Sequence, residues 1–189
     1  MKIDWDLGTS VMVFRPMDFI FTPWRYTYVT SVESTVGCVF CTLPQSQNDP
    51  HKNDGRKDDR RKDDEQALIV HRGQYCFVIL NAYPYTSGHT MVVPYEHVDQ
   101  LQKLSAPAAQ EMMALTQNLE GVLREVYHPD GLNLGMNLGK AAGAGVAGHI
   151  HMHILPRWIA DVNFMGAIGE TRMLPEDLQT TYKRIRAKF

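Results

Sequence analysis

The chain has 189 residues, enough for one domain with its own core and an additional segment. Apolar residues make up 44% and charged residues 21%, and 19 basic against 21 acidic side chains leave neither a basic field for nucleic acid nor an acidic tail. No stretch approaches the roughly 18 apolar residues of a membrane helix, and the opening Met1-Lys2-Ile3-Asp4-Trp5-Asp6 lacks the apolar run of a signal peptide, so the expected setting is cytoplasmic.

Residues 1–35 are rich in aromatics, among them Phe14, Phe19, Phe21, Trp24, Tyr26 and Tyr28, without a strong helix or strand signal. They read as an irregular, extended arm that packs on something else. Residues 36–46 hold a compact knuckle around Cys38-Val39-Phe40-Cys41. From Gln47 to Gln66, 13 of 20 residues are charged, six basic and seven acidic, and none is large and apolar. Such a segment cannot bury enough surface to offset its ordering entropy and reads as a solvated loop. From Ala67 the pattern turns globular. Leu68-Ile69-Val70 and Tyr75 to Leu80 are short β-rich runs flanking Arg72-Gly73, as in a hairpin. Tyr83 to Gly88 is a loop, and His89 to Pro94 is a strand ended by proline. Ser105 as a cap, Pro107 in the first turn and Met112, Leu115, Leu119, Val122 and Val126 at helical spacing predict a helix to about Tyr127. Gly131 to Asn137 alternates like a half-buried strand, a small-residue loop runs from Gly139 to Gly145, and the last strand spans Gly148 to Pro156. This order points to an α+β fold with a mainly antiparallel sheet.

Residues 149–155 read His149-Ile150-His151-Met152-His153-Ile154-Leu155. Side chains alternate along a strand, so Ile150, Met152 and Ile154 face the core while His149, His151 and His153 share the other face, about 6.6 Å between successive members. A lone histidine is commonly a satisfied core residue, but three on one face fit that description poorly. They are either metal ligands, as H-x-H pairs often are, or a nucleophilic imidazole with supporting neighbours. The loop just ahead, Gly139 to Gly148, either simply turns or lets backbone N–H groups approach an anion such as phosphate. Beside the histidine row the second use gains weight, and with it the nucleophile.

Three cysteines are too few for a disulfide scaffold. Cys38 and Cys41 have three readings: zinc, redox or chance. Thioredoxin-type pairs open a helix in a βαβ setting that is missing here, and zinc needs two more ligands. Cys76 lies in an apolar run and reads as a small core residue. His51, His71 and His128 have no evident partners and read as solvated.

The H-x-H-x-H-x-x pattern with apolar residues at x resembles the signature of the histidine-triad (HIT) superfamily of nucleotidyl hydrolases and transferases. Upstream, Asn81 to Pro94, with Gly88-His89 before a strand, is similar to the family's nucleotide-binding segment. Residues 20–31 and 67–175, including Leu155-Pro156-Arg157-Trp158 and Asp161-Val162-Asn163-Phe164, most resemble the bacterial diadenosine-tetraphosphate phosphorylase-like branch.

The resemblance implies a HIT domain over residues 67–175, leaving 176–189 as a C-terminal helical tail. It implies a five-stranded sheet with one long helix packed on it, and a homodimer that shares a sheet, in which the arm at residues 14–28 completes a partner's site. The implied activity is cleavage of dinucleoside polyphosphates, with water or phosphate as acceptor. His151 would attack the α-phosphate and form a nucleotidyl-histidine intermediate. His153 would donate to the phosphate oxygens or the leaving group, and His89 would buttress the row. Asn137 and the N–H groups of residues 143–147, Gly143 and Gly145 among them, would bind the α-phosphate, and Asn81 the ribose hydroxyls. Trp158 either stacks on the base or packs as a core or interface aromatic. Cys38, Cys41, His97 and His149 would hold a closed, structural zinc. One departure stands out: family members usually carry Ser, Thr or Gln shortly before the triad, whereas Gly145-Val146-Ala147-Gly148 offers no hydroxyl or amide. Two rival readings stay open: a zinc metallohydrolase with all three histidines on the metal, and a nucleotide-binding module without catalysis.

Overall fold

A computed structural model describes residues 3–5, 12–14, 37–45, 63–159, 161 and 175–189. Most of the aromatic arm, the charged residues 47–62 with His51, and Asn163 and Phe164 lie outside these. The strands are β1 (Ile3–Trp5), β2 (Met12–Phe14), β3 (Ile69–Arg72), β4 (Cys76–Leu80), β5 (Thr90–Pro94), β6 (Gly131–Gly135) and β7 (Met152–Arg157). The helices include α1 (Val39–Thr42), α2 (Ala106–Tyr127) and α3 (Leu178–Arg186), and residues 63–67 are helical as well. Strands β3 to β7 form one five-stranded antiparallel sheet in the order β3-β4-β5-β7-β6, so the expected α+β architecture holds.

The central strands β4 and β5 are buried along their whole length. Both faces are covered, which is why these runs are nearly continuously apolar. On one face Val70, Val78, Leu80, Val92 and Ile154 pack against Met112, Leu115, Leu119 and Leu123 of α2 and Tyr182 and Ile185 of α3. On the other, Ile69, Phe77, Ile79, Met91 and Val93 meet Phe40 from the cysteine knuckle. The long helix begins as its sequence predicts. The Ser105 hydroxyl accepts from the Ala108 N–H at 3.4 Å and donates to Glu96. It ends at His128, which takes the left-handed conformation at φ 45° and returns its N–H to the Arg124 carbonyl at 3.0 Å. Pro129 follows, where the helix can no longer continue.

Four expectations need correction. The first residues are not wholly irregular: β1 and β2 pair antiparallel, with Asp4 opposite Val13. Three-residue strands are too short for alternation to register. The charged segment is not loop to its end. Residues 63–67 are helical, and Asp64 is buried against Arg72, 2.9 Å from its Nε. Charge density alone does not reveal a partner on a strand. His71 is half-buried, its ring 4.7 Å from that of Phe189. Finally, β7 starts at Met152, not Gly148. It pairs with β5 only as far as Val92 opposite Met152. Pro94 has no N–H to extend that ladder, and Ile150 donates instead to the Val98 carbonyl at 2.8 Å. The two faces nevertheless persist through this stretch: Ile150 and Ile154 join the α2 core while the histidines lie on the side of Phe40.

Candidate active site and metal centre

The three histidines of the row are all buried, and backbone carbonyls decide the proton positions of two of them. A carbonyl only accepts, so the ring nitrogen facing it carries the hydrogen. His151 donates from Nδ1 to the His149 carbonyl at 2.9 Å. Its Nε2 is therefore an unprotonated lone pair, without a hydrogen-bond partner among the described residues. His149 donates from Nε2 to the Pro94 carbonyl at 2.9 Å, leaving Nδ1 bare.

His153 is set by a longer chain. The Tyr85 backbone N–H donates to His89 Nδ1 at 3.1 Å. The His89 proton therefore sits on Nε2 and is donated to His153 Nδ1 at 2.9 Å. His153 in turn keeps its own proton on Nε2. Asn81 is held at both ends: its Oδ1 accepts from the Tyr83 N–H at 2.9 Å and its Nδ2 lies 3.3 Å from His89 Nδ1. The His151 and His153 rings meet nearly edge-on, centroids 4.7 Å apart. Burial lowers the pKa of both, that of His153 to about 4, so both are neutral near pH 7.

On the β6 side of His153 the cross-strand neighbour is Gly135, where a Cβ would meet nothing within 4 Å. Among the described residues that side of the row is open. Asn137, two residues further along, is half-buried and makes no hydrogen bond among the described residues. The preceding loop spends part of its amide supply on itself. The Gly143 N–H donates to the Lys140 carbonyl at 2.9 Å and the Ala144 N–H to the Gly139 carbonyl at 3.3 Å. Gly143, at φ 87°, closes the turn over Lys140–Ala142 with its N–H. The N–H groups of Gly145, Val146 and Ala147 have no backbone acceptor among the described residues. Trp158 lies edge-on to Tyr127 at the end of α2, centroids 6.3 Å apart.

Cys38, Cys41, His97 and His149 present one ligand atom each, all within 4.8 Å of one another. The bare His149 Nδ1 lies 3.4 Å from Cys38 Sγ and 3.6 Å from Cys41 Sγ, and His97 Nδ1 lies 3.2 Å from Cys41 Sγ. Tetrahedral bonds of zinc length to sulfur and nitrogen place ligand atoms about 3.3–3.8 Å apart, so the donor set and its spacing fit such an ion. Among the described residues no other group of this kind occurs, and it includes neither His151 nor His153. Within the row only His149 joins this group: His153 Nδ1 is turned to His89, and His151 Nδ1 to a carbonyl.

Two site residues escaped sequence reasoning. Tyr85 lays its ring 4.8 Å from that of His89 and 6.4 Å from that of His153. Phe40, inside the knuckle, contacts both His149 and His151. The available hint was an aromatic between two cysteines.

A five-stranded antiparallel sheet bearing a histidine row opposite one long helix defines a histidine-triad architecture. A model of the HIT domain matches residues 62–158, just over half of the chain, and the protein belongs to that family. It is 41% identical over 125 residues to a Mycobacterium tuberculosis protein named AP-4-A phosphorylase, covering 66% of this chain and 64% of that one. The chain thus spans slightly less than two thirds of that relative. It is 32% identical over 123 residues to Protein hit of Bacillus subtilis, covering 64% and 83% of the two chains. Among solved structures, a Zn-bound histidine triad family protein from Mycobacterium smegmatis superposes with a TM-score of 0.54 at 32% identity, covering 64% of this chain and 82% of that one. No helix among the described residues is long and apolar enough to cross a membrane.

Proposed function

We propose that this protein transfers or hydrolyses nucleotidyl groups, taking dinucleoside polyphosphates as substrates and His151 as nucleophile. The observation that carries the reading is the hydrogen bond from His151 Nδ1 to the His149 carbonyl, which leaves Nε2 as a neutral lone pair without a hydrogen-bond partner among the described residues. The name of the Mycobacterium tuberculosis relative supports the substrate class.

In the first step His151 Nε2 attacks the α-phosphorus. The P–N bond forms, the P–O bond to the rest of the phosphate chain breaks, and the departing phosphate oxygen leaves as an anion that accepts a hydrogen bond from His153 Nε2–H. In the second, water or phosphate attacks the same phosphorus, the P–N bond breaks to restore neutral His151, the acceptor's proton is released to solvent, and His153 keeps its own proton on Nε2 throughout. His89 holds that proton on the correct nitrogen by donating to His153 Nδ1. The N–H groups of Gly145, Val146 and Ala147 and the Asn137 amide receive the phosphate oxygens. Asn81 serves His89 first and reaches the ribose with its remaining amide hydrogen.

Cys38, Cys41, His97 and His149 hold a zinc ion in this reading. Four protein ligands close the coordination shell, and the ion ties the knuckle to the chain just ahead of β7. The chain works as a homodimer joined through β6, the outer strand of the sheet, whose Leu134 is half exposed.

Incubation with diadenosine tetraphosphate, with and without phosphate, and identification of the products tests the activity and its acceptor. His151→Ala is expected to abolish turnover while keeping fold and zinc; wild-type turnover in that variant would remove the mechanism. Tight mononucleotide binding without turnover of any dinucleotide would favour the non-catalytic module.

A further inference from the structure

Phe40 occupies one of the two positions between Cys38 and Cys41, yet its ring is turned away from the surface of the knuckle and only 5% exposed. The ring centroid lies 5.0 Å from that of His151, tilted at 53°, and 5.5 Å from that of His149, nearly edge-on at 74°. Phe77, Met91 and Val93 of the sheet belong to the same packed cluster and hold it in place. The single bond from His151 Nδ1 to the His149 carbonyl selects which nitrogen is free, but one hydrogen bond leaves an imidazole able to tip about its own axis. A ring in van der Waals contact removes that freedom, because aromatic pairs have preferred relative orientations.

We propose that Phe40 is a positioning residue for the histidine row: tethered by the flanking cysteines, its ring sets the plane in which His151 Nε2 meets the phosphorus. This rests on His151 being the nucleophile. Two routes then run from the knuckle to the reacting atom, one through the Phe40 ring and one through the His149 carbonyl. The knuckle is a wall of the active site as well as a structural clasp.

Phe40→Leu keeps an apolar side chain of similar bulk and removes the aromatic face. It is expected to retain zinc and the wild-type KM for diadenosine tetraphosphate while kcat falls about two- to tenfold, the range an aromatic pair is worth. In parallel, the wild-type holoprotein should give nuclear Overhauser contacts between the Phe40 ring and the His151 imidazole, and a slowly exchanging His151 Nδ1–H resonance that Phe40→Leu broadens. An unchanged kcat in Phe40→Leu, or a loss confined to KM, would overturn the proposal. If Phe40→Leu loses zinc or fails to fold, the wild-type spectra decide: a freely averaging His151 ring without Phe40 contacts overturns the proposal, and an ordered one supports it. His151→Ala, measured alongside, separates the two levels. Turnover surviving in His151→Ala sinks the nucleophile itself, whereas turnover lost there but intact in Phe40→Leu sinks only the positioning role.

Discussion

Replacing His89 by phenylalanine tests whether His153 depends on its neighbour for the position of its proton. The bond at stake runs from His89 Nε2 to His153 Nδ1 at 2.9 Å, and the two residues are 1% and 9% exposed. Without the donor, His153 Nδ1 is a buried acceptor with no partner, a state that costs about 1–3 kcal/mol. The ring can escape that cost by moving its own proton to Nδ1, but Nε2 then has nothing to give the departing oxygen. Either outcome weakens the transition state, and the same range predicts a kcat lower by about five- to 150-fold. KM should change little, since His89 lies behind His153. His89→Gln should retain more activity, because its amide nitrogen can take the place of Nε2 as a donor. Steady-state kinetics on diadenosine tetraphosphate give the rates, and imidazole nitrogen chemical shifts report the His153 tautomer directly. Wild-type kcat in His89→Phe, with the His153 proton still on Nε2, would refute the reasoning.

Four further outcomes are expected. Burial holds the His153 pKa at about 4 against 6.5 in the unfolded chain. Between these values the unfolded chain binds a proton that the folded one refuses, so stability should fall as pH drops through that window and level off below it. For His153 alone the fall is at most about 3 kcal/mol, read from denaturant unfolding at a series of pH values; His153→Phe with an identical pH profile would contradict it. Stripping the metal with a chelator should lower Tm by roughly 5–10 °C if free zinc had stood at about 100 times its dissociation constant, and an unaltered Tm in calorimetry would argue against an ion at the four ligands. Gly73→Ala should destabilise the β3–β4 hairpin by about 1–3 kcal/mol, because a Cβ there would lie 2.8 Å from Glu111 Oε1 and 2.9 Å from the Cys76 carbonyl. That carboxylate accepts from the N–H groups of Gln74, Tyr75 and Cys76 at 2.8, 2.5 and 2.7 Å, so wild-type stability in urea would mean the cradle yields freely. If the chain pairs through β6 as proposed, Leu134→Lys should sediment at half the mass of the wild type, and equal masses for wild type and variant would remove β6 as the interface.

Much of this molecule is written in local patterns. The alternation of histidine with isoleucine and methionine over residues 149–154 identifies two faces, and the structure keeps them even where the regular strand has not yet begun. Ser105, Pro107 and the 3.6-residue spacing that follows delimit α2 because capping and amphipathicity act within a few residues. The Cys38 and Cys41 pair could be singled out for the same reason. Its completion by His97 and His149 came from resemblance, and the structure brings the four together.

What local pattern cannot carry is the identity of a partner far along the chain. Cys38 and His149 are 111 positions apart, and His89 and His153 are 64 apart. No periodicity states that Asp64, in a run of charges, meets Arg72, or that the Gly143 N–H is consumed by its own turn. The histidine row, the knuckle and the helix were therefore determined by residue type and spacing alone. Only the tertiary structure decided which nitrogen of each imidazole is bare and that Phe40 lies against His151. Those features depend on which carbonyl or ring a side chain meets once the sheet has closed, and that is a property of the packed chain and not of its order.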